Sequence, residues 1–229
     1  MVAENVQIIR SRIASACGRA GRSPEEIRLV AVSKTFDAML IAEAVKAGVA
    51  DIGENYVQEI RSKHESLNHL PIRWHFIGHL QSNKLKYIAP WISCIQAVDS
   101  VTIAREISKQ AERSGREIEV LVEVNTSGER SKFGLSPGET PEILRQIAAL
   151  PRLRLGGLMT IGPFLPDPEA SRAGFRALRQ LRDSATKEGL DLRDLSMGMT
   201  NDFEVAIEEG ATILRIGTAI FGSREAGNA

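Results

Sequence analysis

Apolar and polar positions along the chain follow two periods in turn, and the switches between them mark out its elements. A helical spacing of apolar residues runs over Val2 to Ala20. Short apolar runs of the kind found in buried strands then occur at Ile27 to Ser33, Asp51 to Gly53, Arg73 to Ile77, Cys94 to Ala97, Ile118 to Asn125, Leu155 to Met159, Asp194 to Ser196 and Thr212 to Ile216. Between them helical spacing resumes near Asp37, Glu54, Gln81, Ser100, Pro137, Pro168 and Thr200, and several of these starts carry an Asp, Ser or Thr cap or a first-turn proline. A short tail after the eighth strand adds a final turn.

Eight strands alternating with helices predict parallel pairing through right-handed crossovers, and eight such units close a barrel. The expected fold is α/β, a TIM (β/α)8 barrel with an extra N-terminal helix, residues 1–229 forming one domain. An open doubly wound sheet is the competing arrangement, but no G-x-G-x-x-G turn follows the first strand. The segment Gly162-Pro163-Phe164-Leu165-Pro166-Asp167-Pro168 reads as a loop over the barrel mouth.

The 229 residues are 43% apolar, enough for one large core, and 29 basic residues balance 29 acidic ones. Balanced charge argues against nucleic-acid binding, which needs a basic face. Arg172, Arg176, Arg179 and Arg182 recur at helical spacing, as on a solvated helix face. No apolar run approaches the roughly 20 residues of a transmembrane helix, and the N-terminus lacks the apolar core of a signal peptide. A cytoplasmic monomer without a membrane partner is expected, with Cys17 and Cys94 reduced and structural. His75 and His79 have a metal-like spacing only on a helix, and the strand pattern there sends them to different places, so no metal is expected.

Candidate chemistry starts at Lys34, directly after the first strand. A partly desolvated amine at the mouth of a barrel has a lowered pKa and can form a Schiff base with an aldehyde, although a strand-end lysine also simply reaches into water. At the other end of the chain two small-residue turns follow the last two strands: Ser196, Gly198 and Thr200 in one, Gly217 and Thr218 in the other. Unhindered N–H groups, hydroxyls and helix starts suit a phosphate dianion. In a closed barrel the first strand neighbours the eighth, so lysine and phosphate turns face one pocket. Arg215, at the end of the eighth strand, is then the natural neighbour of a heterocyclic nitrogen, or else part of a barrel-end salt bridge.

Several longer motifs carry a resemblance: Val32-Ser33-Lys34, Gly53-Glu54-Asn55-Tyr56-Val57-Gln58-Glu59, Trp74 through Lys84, Val124-Asn125-Thr126-Ser127-Gly128-Glu129, Ser131-Lys132-Phe133-Gly134, Gly157-Leu158-Met159-Thr160, Ser196-Met197-Gly198-Met199 and Arg215 through Gly222. Over Ile27 to Arg224 the chain resembles the pyridoxal phosphate homeostasis proteins, the YggS/PROSC family. The resemblance implies a fold-type III barrel like the N-terminal domain of alanine racemase, with pyridoxal 5′-phosphate held as an internal aldimine on Lys34. It further implies that Ser196, Gly198, Gly217 and Thr218 hold the phosphate, that Arg215 faces the pyridine nitrogen and that Asn55 lies near the ring, with Met159 and Phe76 as ring-packing residues. One position departs from the family: where its members often carry a histidine, two residues before the Val-Asp of the fourth strand, this chain has Gln96, and no cofactor role is assigned there.

On activity, an arginine partner leaves the pyridine nitrogen unprotonated and weakens the electron sink that transamination and decarboxylation use. Alanine racemase, by the same resemblance, adds a β-domain that supplies a catalytic tyrosine, and this chain stops soon after Gly217. The expectation is therefore a carrier that holds the cofactor, limits its free pool and supplies it to pyridoxal-dependent apoenzymes. The alternatives are a racemase-like enzyme using Tyr56 or a histidine as second base, and a Schiff-base aldolase acting on phosphosugars, which leaves Arg215 unexplained.

Overall fold

The computed structural model describes residues 1–129, 132–163 and 165–222; Ser131, Phe164 and Arg224 of the stretches above lie outside the described residues. Eight parallel strands close into a barrel in sequence order: β1 (Arg28–Val32), β2 (Asp51–Glu54), β3 (Arg73–Phe76), β4 (Cys94–Val98), β5 (Ile118–Glu123), β6 (Leu153–Met159), β7 (Asp194–Ser196) and β8 (Ile213–Ile216), with β8 pairing β1. Around it lie α1 (Val2–Ala20), α2 (Ala38–Lys46), α3 (Val57–Leu67), α4 (Ser82–Leu85), α5 (Val101–Ser114), α6 (Thr140–Ala148), α7 (Arg172–Lys187), α8 (Phe203–Glu208) and α9 (Thr218–Phe221). This is the TIM barrel with an extra N-terminal helix that the alternating pattern predicts. Among the described residues no helix is long and apolar enough to cross a membrane.

In α1, Val2, Val6, Ile9, Ile13 and Ala16 recur every three or four residues and are buried, giving one apolar face. That face packs on α2, α8 and α9. Arg12 and Arg19 both reach Glu204 of α8, at 2.9 and 2.7 Å, and Asn5 Nδ2 donates to Ile220 O at 2.9 Å. Gly21, with φ of 65°, ends the helix in a left-handed conformation that a Cβ would strain. The extra helix thus covers the outside of the barrel where the last elements of the chain meet the first.

The structure departs from the pattern at several places, among them the starts of α6 at Thr140 and α8 at Phe203, three residues later than predicted. Glu54 ends β2 inside the structure, and α3 starts only at Val57. Pro168 opens a 3-10 turn, Pro168–Ser171, before α7 begins. Arg172, Arg176 and Arg179 do not form a merely solvated face: they converge on the Glu209 carboxylate at 3.2, 2.9 and 3.2 Å. Glu209 is almost fully buried, and the three guanidinium groups offset the desolvation of its charge.

Residues paired across adjacent parallel strands share a face. Val30 therefore stands on the same side as Asp51 and Arg215, and Cys94 as His75 and Glu119. Val30, Cys94, Leu121, Met159 and Ile213 form an apolar plug inside the barrel, separate from the larger core between sheet and helices. The inner positions above and below that plug are polar, and they position the site.

Candidate functional site

A cavity of about 800 Å³ opens at the C-terminal ends of the strands, where barrel chemistry gathers. It is lined by Val32 at the end of β1 with Lys34 and Phe36 after it, Asn55 after β2, Ile77 after β3, Ile161, Pro163 and Leu165 after β6, Met199 to Asp202 after β7, Arg215 in β8, and Gly217, Thr218 and Ala219 after it. The sequence-predicted Lys34, Asn55, Arg215, Gly217 and Thr218 thus come together in one space. A second cavity of about 570 Å³ at the opposite end is lined by Arg10, Arg28, Asp51, Arg73 and Asp194, among others. Of its charges, Arg73 is bound to Asp51 and Arg28 lies 3.8 Å from Asp194.

Lys34 is half-buried and held by what flanks it. Lys63 Nζ donates to Ser33 O at 2.8 Å, to Glu54 Oε1 at 2.6 Å and to Glu59 Oε2 at 3.0 Å. Ser33 Oγ donates to the same Glu54 oxygen at 2.6 Å, and Thr35 N–H donates to Glu59 at 2.9 Å. Both neighbours of Lys34 are therefore tied to one ionic cluster. Thr35 has φ of 69°, a left-handed conformation that costs a β-branched residue on the order of 1–3 kcal/mol and persists because this cluster enforces it. Burial holds the Glu54 carboxyl above its ordinary range, with Lys63 and Ser33 opposing.

The two small-residue turns after β7 and β8 also border the cavity, through Thr200 and through Gly217 and Thr218. Thr218 Oγ1 donates to Thr200 Oγ1 at 3.2 Å, so the hydroxyls of the two turns are adjacent. Gly217 precedes α9, and a Cβ there would stand 3.1 Å from Val32 O, closer than the strand end tolerates without a shift. Gly198 has φ of 94°, and a Cβ would meet Ala206 Cβ at 2.6 Å. It shapes the turn without lining the cavity.

Ser196 does not line the cavity either. Its hydroxyl donates to Gln96 Oε1 at 2.6 Å and accepts from Arg215 Nη1 at 2.7 Å, in the closed interior of the barrel. An inward position on β7 points into the barrel, so the residue expected at the phosphate is bonded here to Gln96 and Arg215, while the turn beyond it faces the mouth. Thr200, named with Ser196 in the same turn, does line the cavity. Gln96, to which the sequence assigns no role, links Ser196 to His75, with Nε2 and Nδ1 2.9 Å apart. Met159 belongs to the plug and Phe76 to the outer core, so neither lines the cavity.

Arg215 is buried. Its Nη2 donates to Thr160 O at 2.8 Å, and burial holds its pKa down to about 10 against the opposing charges of Glu123 and Asp202. It stays protonated at neutral pH. Asn55 Oδ1 is a buried acceptor without a hydrogen-bond partner in the protein. A buried acceptor at a cavity wall, a pair of hydroxyls, a guanidinium and an amine fit a small molecule that carries a hydroxyl, a phosphate, a ring nitrogen and an aldehyde. The ionic cluster around Lys63 and the polar interior were not read from the sequence. Their signal was present as Asp51, His75, Gln96, Glu123 and Ser196, polar residues within strand patterns.

The alanine racemase N-terminal domain family matches residues 3–225. The pyridoxal phosphate homeostasis protein of Aquifex aeolicus is 45% identical over 97% of this chain and 98% of its own length. The structure of PipY from Synechococcus elongatus PCC7942, solved with PLP bound, is 33% identical, has a TM-score of 0.85, and is covered over 97% of this chain and 100% of that one. An alanine racemase from Clostridium difficile 630 is 15% identical with a TM-score of 0.75, over 98% of this chain and 58% of that one, a likeness of fold. With a barrel of that fold, a lysine and two small-residue turns at its mouth and this identity over nearly full length, the chain belongs to the pyridoxal phosphate homeostasis protein family, on the alanine racemase N-terminal barrel.

Proposed function

We propose that this chain is a cytoplasmic carrier of pyridoxal 5′-phosphate, which holds the cofactor covalently on Lys34, limits its free pool and supplies it to apoenzymes. The observation that carries this reading is the convergence of Lys34, Arg215 and the Thr200–Thr218 hydroxyl pair on one cavity. The relative solved with PLP bound supports the same cofactor. When bound, the cofactor supplies an aldehyde carbon open to amines, a ring nitrogen and a phosphate dianion. Lys34 offers the amine. Thr218, Thr200 and the backbone at Gly217 hold the phosphate, with Gly198 shaping the adjoining turn and Ser196 fixing Arg215. Arg215 donates to the ring nitrogen and, keeping its own proton, leaves that nitrogen unprotonated. Asn55 accepts from the ring hydroxyl.

Two features favour storage over turnover. Among the described residues lining the cavity the ionisable groups are Lys34, Asp202 and Arg215. Asp202 is buried, and its two oxygens accept from Met199 N–H at 2.7 Å and Ser171 Oγ at 2.8 Å, so it is committed to the turn. Among the described residues that line the cavity there is therefore no second acid or base beside Lys34, and no further cation for the carboxylate of an amino acid. The groups a racemase-like reading requires lie elsewhere. Tyr56 is exposed outside the lining, His75 is bonded to Asp51 and Gln96, and His79 pairs with Asp99 at 3.4 Å and stacks on Phe133.

The test combines borohydride reduction and peptide mass spectrometry with deuterium exchange at the α-carbon of L- and D-alanine and other amino acids. The expected result is a phosphopyridoxyl group on Lys34 and negligible exchange over hours. Labelling mainly at Lys84 or Lys132 overturns the site. Exchange near or above roughly 1 per second that vanishes in Lys34→Ala overturns the carrier in favour of an enzyme.

A further inference from the structure

We propose that Gln96, His75 and Asp51 are positioning residues for Arg215: a hydrogen-bonded chain through the barrel interior, anchored at its far end, sets how the guanidinium meets a ring nitrogen in the cavity. This rests on the cofactor reading above.

The chain runs from Arg215 Nη1 to Ser196 Oγ (2.7 Å), from Ser196 Oγ to Gln96 Oε1 (2.6 Å), from Gln96 Nε2 to His75 Nδ1 (2.9 Å) and from His75 Nε2 to Asp51 Oδ1 (2.9 Å). At its end Arg73 Nε donates to the same Asp51 oxygen at 2.8 Å. Every member from Asp51 to Arg215 is buried. The direction of each bond follows from the donors. Arginine can only donate, so Ser196 accepts and its hydrogen goes to the Gln96 carbonyl; the Gln96 amide then donates to His75 Nδ1, which leaves the imidazole proton on Nε2 for Asp51. All four bonds point the same way, toward a carboxylate that stays ionised. Burial alone would raise the Asp51 pKa, but Arg73 and His75 outweigh it and hold it at about 2.

Bonds aligned in one direction toward an anion polarise one another. An amide cannot pass a proton on, so the chain orients and polarises Arg215 and does not conduct. With Nη1 fixed on Ser196 and Nη2 on Thr160 O, two of the five N–H groups of Arg215 are set by the barrel and the remainder serve the cavity. Gln96 is the residue on which the direction turns: it needs one acceptor and one donor, which neutral imidazole also offers and methionine does not.

The experiment measures the binding of pyridoxal 5′-phosphate and of its carba analogue, with C–H in place of the ring nitrogen, to the full chain and its variants. Gln96→Met is expected to weaken the cofactor about tenfold and the analogue less than about twofold, since one charge-assisted bond is at stake. Gln96→His is expected to bring the cofactor back to within about threefold. Asp51→Asn, at the other end of the barrel, is expected to weaken the cofactor about threefold and spare the analogue, and it keeps the test open if Gln96→Met does not fold. Equal losses for both ligands, or no loss for either, overturn the relay while leaving the carrier intact. Failure of the unaltered protein to take up either ligand overturns the cofactor reading, and the relay with it.

Discussion

Glu123→Gln should stabilise this protein, and only above mildly acidic pH. Glu123 ends β5 on the inner face of the barrel, and the chain after it folds back so that Leu135 N–H donates to Glu123 O at 2.8 Å. Gly134, with φ of 103°, packs where a Cβ would stand 3.1 Å from Glu123 Cγ. Burial pushes the carboxyl from 4.5 up to about 7; the charge of Arg215 opposes this and that of Asp99 adds to it. The folded state thus keeps a proton that the unfolded chain releases, and the contribution of this group is fully present below pH 4.5 and lost as pH rises through 7. At about 1.4 kcal/mol for each pH unit between the two values the loss is roughly 3 kcal/mol. Glutamine mimics the protonated acid at every pH. Urea or thermal unfolding of both proteins without cofactor from pH 4 to 8 should give equal stabilities at the acid end. At pH 8 the variant should lead by about 2–3 kcal/mol, or roughly 4–12 °C in Tm for a chain of this size. A pH-independent difference, or a variant less stable at pH 8, would show that Glu123 is solvated or firmly ion-paired.

Other outcomes can be checked in the same way. Lys63→Met leaves the buried Glu54 carboxylate unpaired and should cost roughly 3–5 kcal/mol in urea unfolding, with cofactor retention falling as the clamp on Ser33 and Thr35 is lost. Thr200→Val together with Thr218→Val removes two hydroxyls from the proposed phosphate site and should speed cofactor dissociation by about tenfold or more per bond, whereas unchanged dissociation would place the phosphate elsewhere. Asp51, whose pKa is lowered from 3.8 to about 2, stabilises the fold above its unfolded pKa and loses that contribution as pH falls through 2. The gap between wild type and Asp51→Asn should therefore close by about 2 kcal/mol on acidification. Gly157→Ala would set a Cβ 1.9 Å from Asp194 O, and should destabilise by roughly 3 kcal/mol or prevent recovery of folded protein.

The barrel was legible because its signal is periodic. Continuous apolar runs such as Leu29 to Val32 and the capped amphipathic start at Ser100 each point to one element, and their alternation points to closure. Boundaries failed where local chemistry competes with period: Glu54 looked like a helix start but is drawn into β2 by Ser33 and Lys63. Lys34, Arg215, Gly217 and Thr218 could be placed because strand ends in a barrel are neighbours. The destination of an inward side chain could not, since whether Ser196 reaches the mouth or stops at Gln96 depends on register with β4, which lies across the barrel. The arginines of α7 misled for the same reason: Glu209, their shared partner, lies on another element.

The two walls of the cavity come from opposite ends of the polypeptide, Lys34 after β1 and Gly217 and Thr218 after β8, and they meet along the β1–β8 ladder and where the Phe36 and Phe221 rings pack at 5.2 Å. A nascent chain therefore has no pocket until its last strand has left the ribosome and zipped onto its first. Once loaded, the ligand acts as a staple across that seam, worth about 2.7 kcal/mol at a hundredfold excess over Kd. Parting the first and last strands would pull the two walls away from each other, so opening of this seam and a closed cavity exclude one another.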